Sequence, residues 1–215
     1  MPLIAYHKET NWSFGIWKIT ETANELIDHL PSSPEELQAA RQFSSASRRK
    51  EWLATRVLLQ ELCGEHKEIR YKESGEPYLA DGSYQISISH TKGYAAVMLG
   101  EPSKCRVGID MEYLSKRVLK VKDHFLSSEE KSFIDPQHEA NHLLICWCAK
   151  EAIYKMLGKE GVEFSRDLQV QPFPFDLIGS LKVRELVTPE AKLYSVRYIV
   201  ANDYVLTTVS SEDTF

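Results

Sequence analysis

The amino-acid sequence predicts an α+β fold, and three observations carry that expectation. Residues 84–90 and 107–112 alternate apolar and polar side chains with period two, as half-buried strands do. Residues 48–62 set Trp52, Leu53, Val57, Leu59 and Leu62 at helical spacing. A second long helix, ending near Leu157, is apolar around its whole circumference and is expected to be buried.

The remaining elements fall between these. Residues 4–19 alternate aromatic and aliphatic positions and read as one or two strands. Ser33, Pro34 and Glu36 start a helix that runs to about Phe43: Ser33 is the N-cap, Pro34 the first helical position, and Glu36 closes a capping box. Gly64 ends the helix of residues 48–62. The polar turn Thr91-Lys92-Gly93 joins residues 84–90 to 94–99 as a hairpin. The loop at residues 100–103 is the expected divide, giving an N-terminal half of 1–103 and a C-terminal half of 104–215. Past it come the strand of 107–112, a helix capped at Ser127 with Glu130, and the long helix from about Asp135-Pro136 to the stop at Gly158. Strands at 182–186, 193–200 and 204–209 close the chain, the last pair turning at Asn202-Asp203.

A length of 215 residues allows one or two domains with a sizeable core. A net charge of −5 argues against a general nucleic-acid binder, since no basic field covers the protein. The four cysteines form no C-x-x-C, which favours buried free thiols over zinc or a disulfide. There is no apolar signal region near the N-terminus and no run of about 18 apolar residues, so a cytoplasmic protein without membrane partners is expected.

Two short segments carry the chemistry. Asp110 and Glu112 are two apart, so on a strand they share a face, with Val107, Ile109 and Met111 on the other. Glu151 and Lys155 are one helical turn apart. Carboxylates with a lysine beside them suit Mg²⁺ and a phosphate-bearing substrate. Solvated charges on an exposed strand, and an ion pair on a helix, account for the same spacings. Gly108, on the face of Asp110, leaves room for something to approach. Charges within an apolar helix need partners, which a metal and a phosphate supply. His90 ends its strand at the hairpin turn and could equally cap or pack it. The basic run of residues 116–122 reads either as a solvated face or as a docking surface for an acidic partner.

Taken in order, five segments resemble the 4′-phosphopantetheinyl transferases, of the longer surfactin-synthetase-activating type. They are Arg48-Arg49-x-Glu51-Trp52-Leu53-Ala54-x-Arg56, Gly75-Glu76-Pro77-Tyr78-Leu79, Ile88-Ser89-His90, Gly108-Ile109-Asp110-x-Glu112, and Trp147-x-x-Lys150-Glu151-Ala152-x-x-Lys155. The last two are specific as a pair. The resemblance implies a pseudo-dimer of two similar α+β halves with coenzyme A in the cleft between them. It implies transfer of phosphopantetheine from coenzyme A to a serine of an apo carrier protein, leaving adenosine 3′,5′-bisphosphate. Asp110, Glu112 and Glu151 would ligate Mg²⁺, Lys155 and His90 would bind the pyrophosphate, and Arg56 the 3′-phosphate or adenosine end. Pro77 and Ser89 would complete the coenzyme site, and Glu151 would take the serine proton, directly or through water, with Lys155 and Asp110 as its catalytic companions.

One residue departs from the family's pattern: the lysine of its G-K-P segment is Glu76 here. A carboxylate there repels phosphate, so it must point away or be offset by Lys72, Lys92, Arg48 or Arg49. Residues 116–133 resemble the family's carrier-docking region. Two halves in one chain make a monomer sufficient. The rival readings are a Mg²⁺-dependent nuclease or phosphohydrolase and a carrier-binding module without turnover. Against the first, Ile153 stands where a Glu-x-Lys pair needs lysine.

Overall fold

The computed structural model describes residues 2–31 and 34–214. Cα packing divides the chain into two compact units, Met1–Lys104 and Cys105–Phe215.

The first unit begins with β1 (Leu3–Lys8) and β2 (Trp12–Lys18), so the alternating N-terminal stretch is two strands. The short helix α1 (Ala23–Asp28) follows, with a Thr22/Glu25 capping box. Sequence reading missed this helix although its T-x-x-E signature is plain, because Leu26 is its one fully buried residue and no apolar stripe marks it. Helix α2 (Pro34–Arg41) ends two residues before the expected Phe43, and the proposed Ser33 cap lies outside the described residues. Helix α3 (Ala46–Cys63) is capped by Ser45, whose side chain accepts from the Arg48 N–H, and stops at Gly64 with φ +72°. A small hairpin of β3 (Ile69–Tyr71) and β4 (Pro77–Leu79) carries the Gly75-Glu76 turn. Strands β5 (Gln85–Thr91) and β6 (Tyr94–Gly100) form the expected hairpin. The sheet runs β1-β2-β6-β5, antiparallel throughout, and α3 packs Leu53, Ala54, Val57 and Leu58 against it.

The second unit is a five-stranded antiparallel sheet under one long helix. Its elements are β7 (Val107–Tyr113), α4 (Val118–Phe125), α5 (Ser128–Ser132), α6 (Glu139–Leu157), α7 (Phe164–Asp167), β8 (Leu168–Val170), β9 (Ile178–Glu185), β10 (Leu193–Val200) and β11 (Tyr204–Ser210). The strand order is β7-β11-β10-β9-β8. The Ser127/Glu130 capping box opens α5 as expected. Helix α6 starts at Glu139, later than the expected Asp135, because Asp135 accepts the Gln137 N–H at 2.8 Å and contacts the His138 ring at 2.9 Å, a local turn that competes with helix. Two further expectations need correction. The short elements α7 and β8 were not foreseen. Nor is α6 apolar all round: Trp147, Glu151, Tyr154 and Lys155 form a partly exposed strip, and the charges lie on it.

All four cysteines are free thiols, three of them buried. Among the described residues, no helix is long and apolar enough to cross a membrane.

Candidate active site

In the second unit, Asp110 and Glu112 face α6 from β7. The empty face of Gly108 is what lets helix and strand meet: a Cβ built on Gly108 would lie 2.0 Å from the Ala152 carbonyl oxygen. The room left by this glycine is therefore filled by α6 itself, not by substrate. Thr207 of β11 fixes the helix from beside it, donating to the Cys148 carbonyl at 2.8 Å.

That close approach brings together four of the expected residues. Lys155 donates to Asp110 Oδ1 at 2.7 Å and to the Ile109 carbonyl at 3.1 Å. Asp110 is 4% exposed and also receives the Cys148 thiol. Glu112 accepts from the Trp147 indole, an orienting contact that sequence reading did not assign although Trp147 opens its motif. Burial, then the Asp110 charge, raises the Glu112 carboxyl above its ordinary value. Glu151 feels the same two effects and the charge of Glu112, against Lys155, and is pushed up to about 7. Three carboxylates thus repel one another around a single ammonium group.

This donor set fits a hard divalent cation by charge and by oxygen type. The side chains are not closed on a common point: among the described residues, no group of three or more His, Cys, Asp or Glu side chains is arranged to hold a metal ion. Lys155 holds the Asp110 oxygen that a cation would share.

Lys150, the other lysine of the helix motif, has a different place. It is 0% exposed and donates to the carbonyls of Phe125 at 2.7 Å and Phe164 at 2.9 Å and to Glu130 at 2.8 Å. Glu130 in turn accepts from the Val170 and Ser127 N–H groups at 2.8 and 2.7 Å. One buried ion pair therefore ties the end of α4, the cap of α5, the start of α7 and strand β8 to α6. Trp147 packs edge-on against Phe125 and tilted against Phe164, completing the same wall.

The remaining expected residues lie in the first unit. His90 is half exposed at the end of β5, with Nδ1 3.4 Å from Glu51 Oε2, and Glu51 accepts from the Ser47 hydroxyl at 3.2 Å. Ser89 is buried within β5, and Pro77 begins β4 opposite Tyr71. Arg56 is an interior residue, 4% exposed, stacked 3.2 Å from the Trp52 ring centroid and bonded to Glu36 at 3.3 Å and the Trp52 carbonyl at 3.3 Å. Its guanidinium is engaged in holding α2 against α3. Glu76 is offset by Lys72 at 3.0 Å across the hairpin turn, one of the two arrangements its sequence position required.

Residues 106–209 match the sequence profile of the 4′-phosphopantetheinyl transferase superfamily. A Haemophilus influenzae protein whose name assigns it to these transferases is 33% identical over 111 residues, 50% of this chain and 46% of that protein. The 4′-phosphopantetheinyl transferase AcpT of Escherichia coli, in strains O157:H7 and K12, is 27% identical over 142 residues, 61% of this chain and 70% of AcpT. The chain thus spans about half the length of the Haemophilus relative. The profile match takes in β7, α6 and all four clustered side chains.

Proposed function

We propose that this protein transfers 4′-phosphopantetheine from coenzyme A to a serine of an apo carrier protein. The observation that carries the reading is the meeting of Asp110, Glu112, Glu151 and Lys155 where α6 crosses β7, inside the segment that matches the superfamily. Five ordered motifs across both halves support the longer, surfactin-synthetase-activating type, and a pseudo-dimeric arrangement with it. Free thiols fit a reducing compartment.

In this reaction the serine hydroxyl forms a new O–P bond to the pantetheine-bearing phosphorus. The bond from that phosphorus to the pyrophosphate bridge breaks, and adenosine 3′,5′-bisphosphate leaves. Glu151 is assigned to take the serine proton, directly or through a water, where a general base contributes roughly 10²–10⁴ in rate. Lys155 offers its ammonium group to phosphate oxygens once it turns from Asp110. Asp110, Glu112 and Glu151 would hold Mg²⁺, which when bound supplies charge neutralisation to the pyrophosphate. From the first unit, His90, oriented by Glu51, is assigned to phosphate, with Ser89 and Pro77 shaping the coenzyme site. Arg56, paired with Glu36 and stacked on Trp52, is assigned to the 3′-phosphate or adenosine end. Helix α4, with Lys116, Arg117 and Lys120 at its start, is assigned to carrier docking.

The test is mass spectrometry of apo carrier proteins incubated with the protein, coenzyme A and Mg²⁺. One serine is expected to gain the phosphopantetheine mass, with adenosine bisphosphate released only when carrier is present. Release without carrier would replace this reading by a hydrolase. Retention of full activity with Glu151→Gln would remove Glu151 from its role.

A further inference from the structure

His142, in the first turn of α6, is 0% exposed and stands apart from the cluster around Lys155. Its Nδ1 accepts the Asp135 backbone N–H at 3.0 Å, so the ring is neutral and carries its proton on Nε2. Nε2 is buried and finds no hydrogen-bond partner among the described residues. Phe173 lies edge-on to the ring at 4.5 Å, with Phe133 at 5.9 Å and Phe175 at 6.0 Å. Asp135 sits within the connection from α5 to α6, residues 133–138, and its carboxylate shapes the same turn. It accepts the Gln137 N–H at 2.8 Å and meets His138 Nδ1 at 2.9 Å, and the His138 ring stacks on Phe175 at 4.3 Å. One imidazole lone pair thus ties the connection to the head of the long helix.

We propose that His142 is an acid-sensitive latch: a proton taken up at Nδ1 removes the acceptor for Asp135 and releases residues 133–138 from the head of α6. The protonated ring would set an N–H against the Asp135 N–H and place a charge among three phenyl rings. Burial holds His142 below its ordinary value, against the pull of Asp135 and with the push of His138. Asp135 itself is kept below its ordinary value by His138 and the Gln137 N–H, so it stays ionised where histidines titrate. Cys146, one helical turn further along α6, keeps its thiol protonated by burial, as Tyr198 of β10 keeps its hydroxyl beside Phe173. Asp176, next to Phe175 in the chain, gives its carboxylate to the Leu177 N–H. With the folded value lowered, the stability this contact contributes is full above the ordinary value of about 6.5 and is lost as pH falls through the folded value. Protonation of His138 strengthens its own pairing with Asp135, so the turn stays formed while it lifts from His142. The latch needs none of the side chains assigned to transfer.

Amide hydrogen exchange read by NMR compares the unmutated protein with His142→Asn at about pH 7.5 and about pH 5.5, with intrinsic exchange rates divided out. Asparagine keeps an acceptor oxygen near the place of Nδ1 and does not titrate. Opening at the Asp135 amide is expected to rise at least about fivefold at the lower pH in the unmutated protein, one proton setting a ceiling of about tenfold per pH unit. The variant is expected to change less than about twofold over the same range. A smaller rise in the unmutated protein, or a variant that rises as much, overturns the proposal. Should the variant fail to fold, the imidazole resonances of the unmutated protein decide. A His142 midpoint below about 6.5, shared by the Asp135 amide shift, upholds the latch. A midpoint at or above that value, or an Asp135 shift that does not follow it, overturns it.

Discussion

Replacing Lys150 by methionine asks how much of the second unit hangs on one buried ammonium group. Methionine keeps the apolar stem but leaves the Phe125 and Phe164 carbonyls and the Glu130 carboxylate without their donor. Hydrogen bonds to charged groups contribute about 1.5–3 kcal/mol each, and they do not add within one network. Breaking a buried ion pair by removing one partner costs roughly 3–5 kcal/mol, since the other charge stays buried. Glu130, only 2% exposed, cannot turn to water, but it keeps its Val170 and Ser127 N–H donors. These donors hold the expected loss inside that range, at about 3–5 kcal/mol. Urea unfolding at pH 7, followed by circular dichroism, measures it. Glu130→Gln and the double variant close a thermodynamic cycle, with a coupling of at least about 1 kcal/mol expected. A loss under about 1 kcal/mol for Lys150→Met, or strict additivity in the cycle, would refute the structural assignment of this lysine.

Other perturbations read different parts of the molecule. Gly108→Ala drives a methyl into the Ala152 carbonyl, where backbone must move, so a loss of about 3 kcal/mol or more is expected in urea unfolding. Gly15→Ala meets only flexible side-chain ends, Leu58 at 2.9 Å, Leu62 at 3.0 Å and Leu3 at 3.4 Å, and should cost visibly less in the same unfolding assay. Glu151, at about 7 in the fold against an ordinary 4.5, binds its proton more tightly when folded. Stability from this group is full below about pH 4.5 and is lost as pH rises through 7, with a ceiling of about 3 kcal/mol at 1.36 kcal/mol per unit that water lowers at this partly exposed site. In EDTA, Glu151→Gln should therefore stabilise the chain more at pH 8 than at pH 5, and equal gains at both would contradict the assigned environment. Glu76→Lys releases Lys72 and adds a cation to the hairpin, so a lower coenzyme A KM is expected in steady-state kinetics.

Local signals in the sequence were enough for elements with strong periodicity or caps: α3, read over 48–62 to its stop at Gly64 though not its Ser45 cap, the β5–β6 hairpin around Gly93, and α5 from its Ser127/Glu130 box. They failed where tertiary contacts decide. Strand β8 has three residues and exists as an edge partner of β9 whose last residue, Val170, gives its N–H to Glu130, forty positions away. The site was legible as residue types, since two-residue spacing on β7 and four-residue spacing on α6 are local facts. Which side chains were already paired was not: Arg56 with Glu36 spans twenty positions, and Glu51 with His90 spans nearly forty, so no window of sequence holds both partners.

The two lysines of α6 show why a motif alone does not assign chemistry. Lys150 and Lys155 are five apart, about 500° of helical turn, and so leave the helix on different sides. Lys150 points where α4, α5 and α7 close over it, and three carbonyl or carboxylate partners fix it in place. Lys155 points along the partly exposed strip, with one carboxylate and one carbonyl, and stays 27% exposed. The first arrangement has no acceptor to give up without burying a charge; the second would leave Asp110, only 4% exposed, uncompensated unless a cation took the place of the ammonium group. On the proposed function, a phosphate would compete for Lys155 rather than for Lys150, with a cation taking up the released Asp110 oxygen.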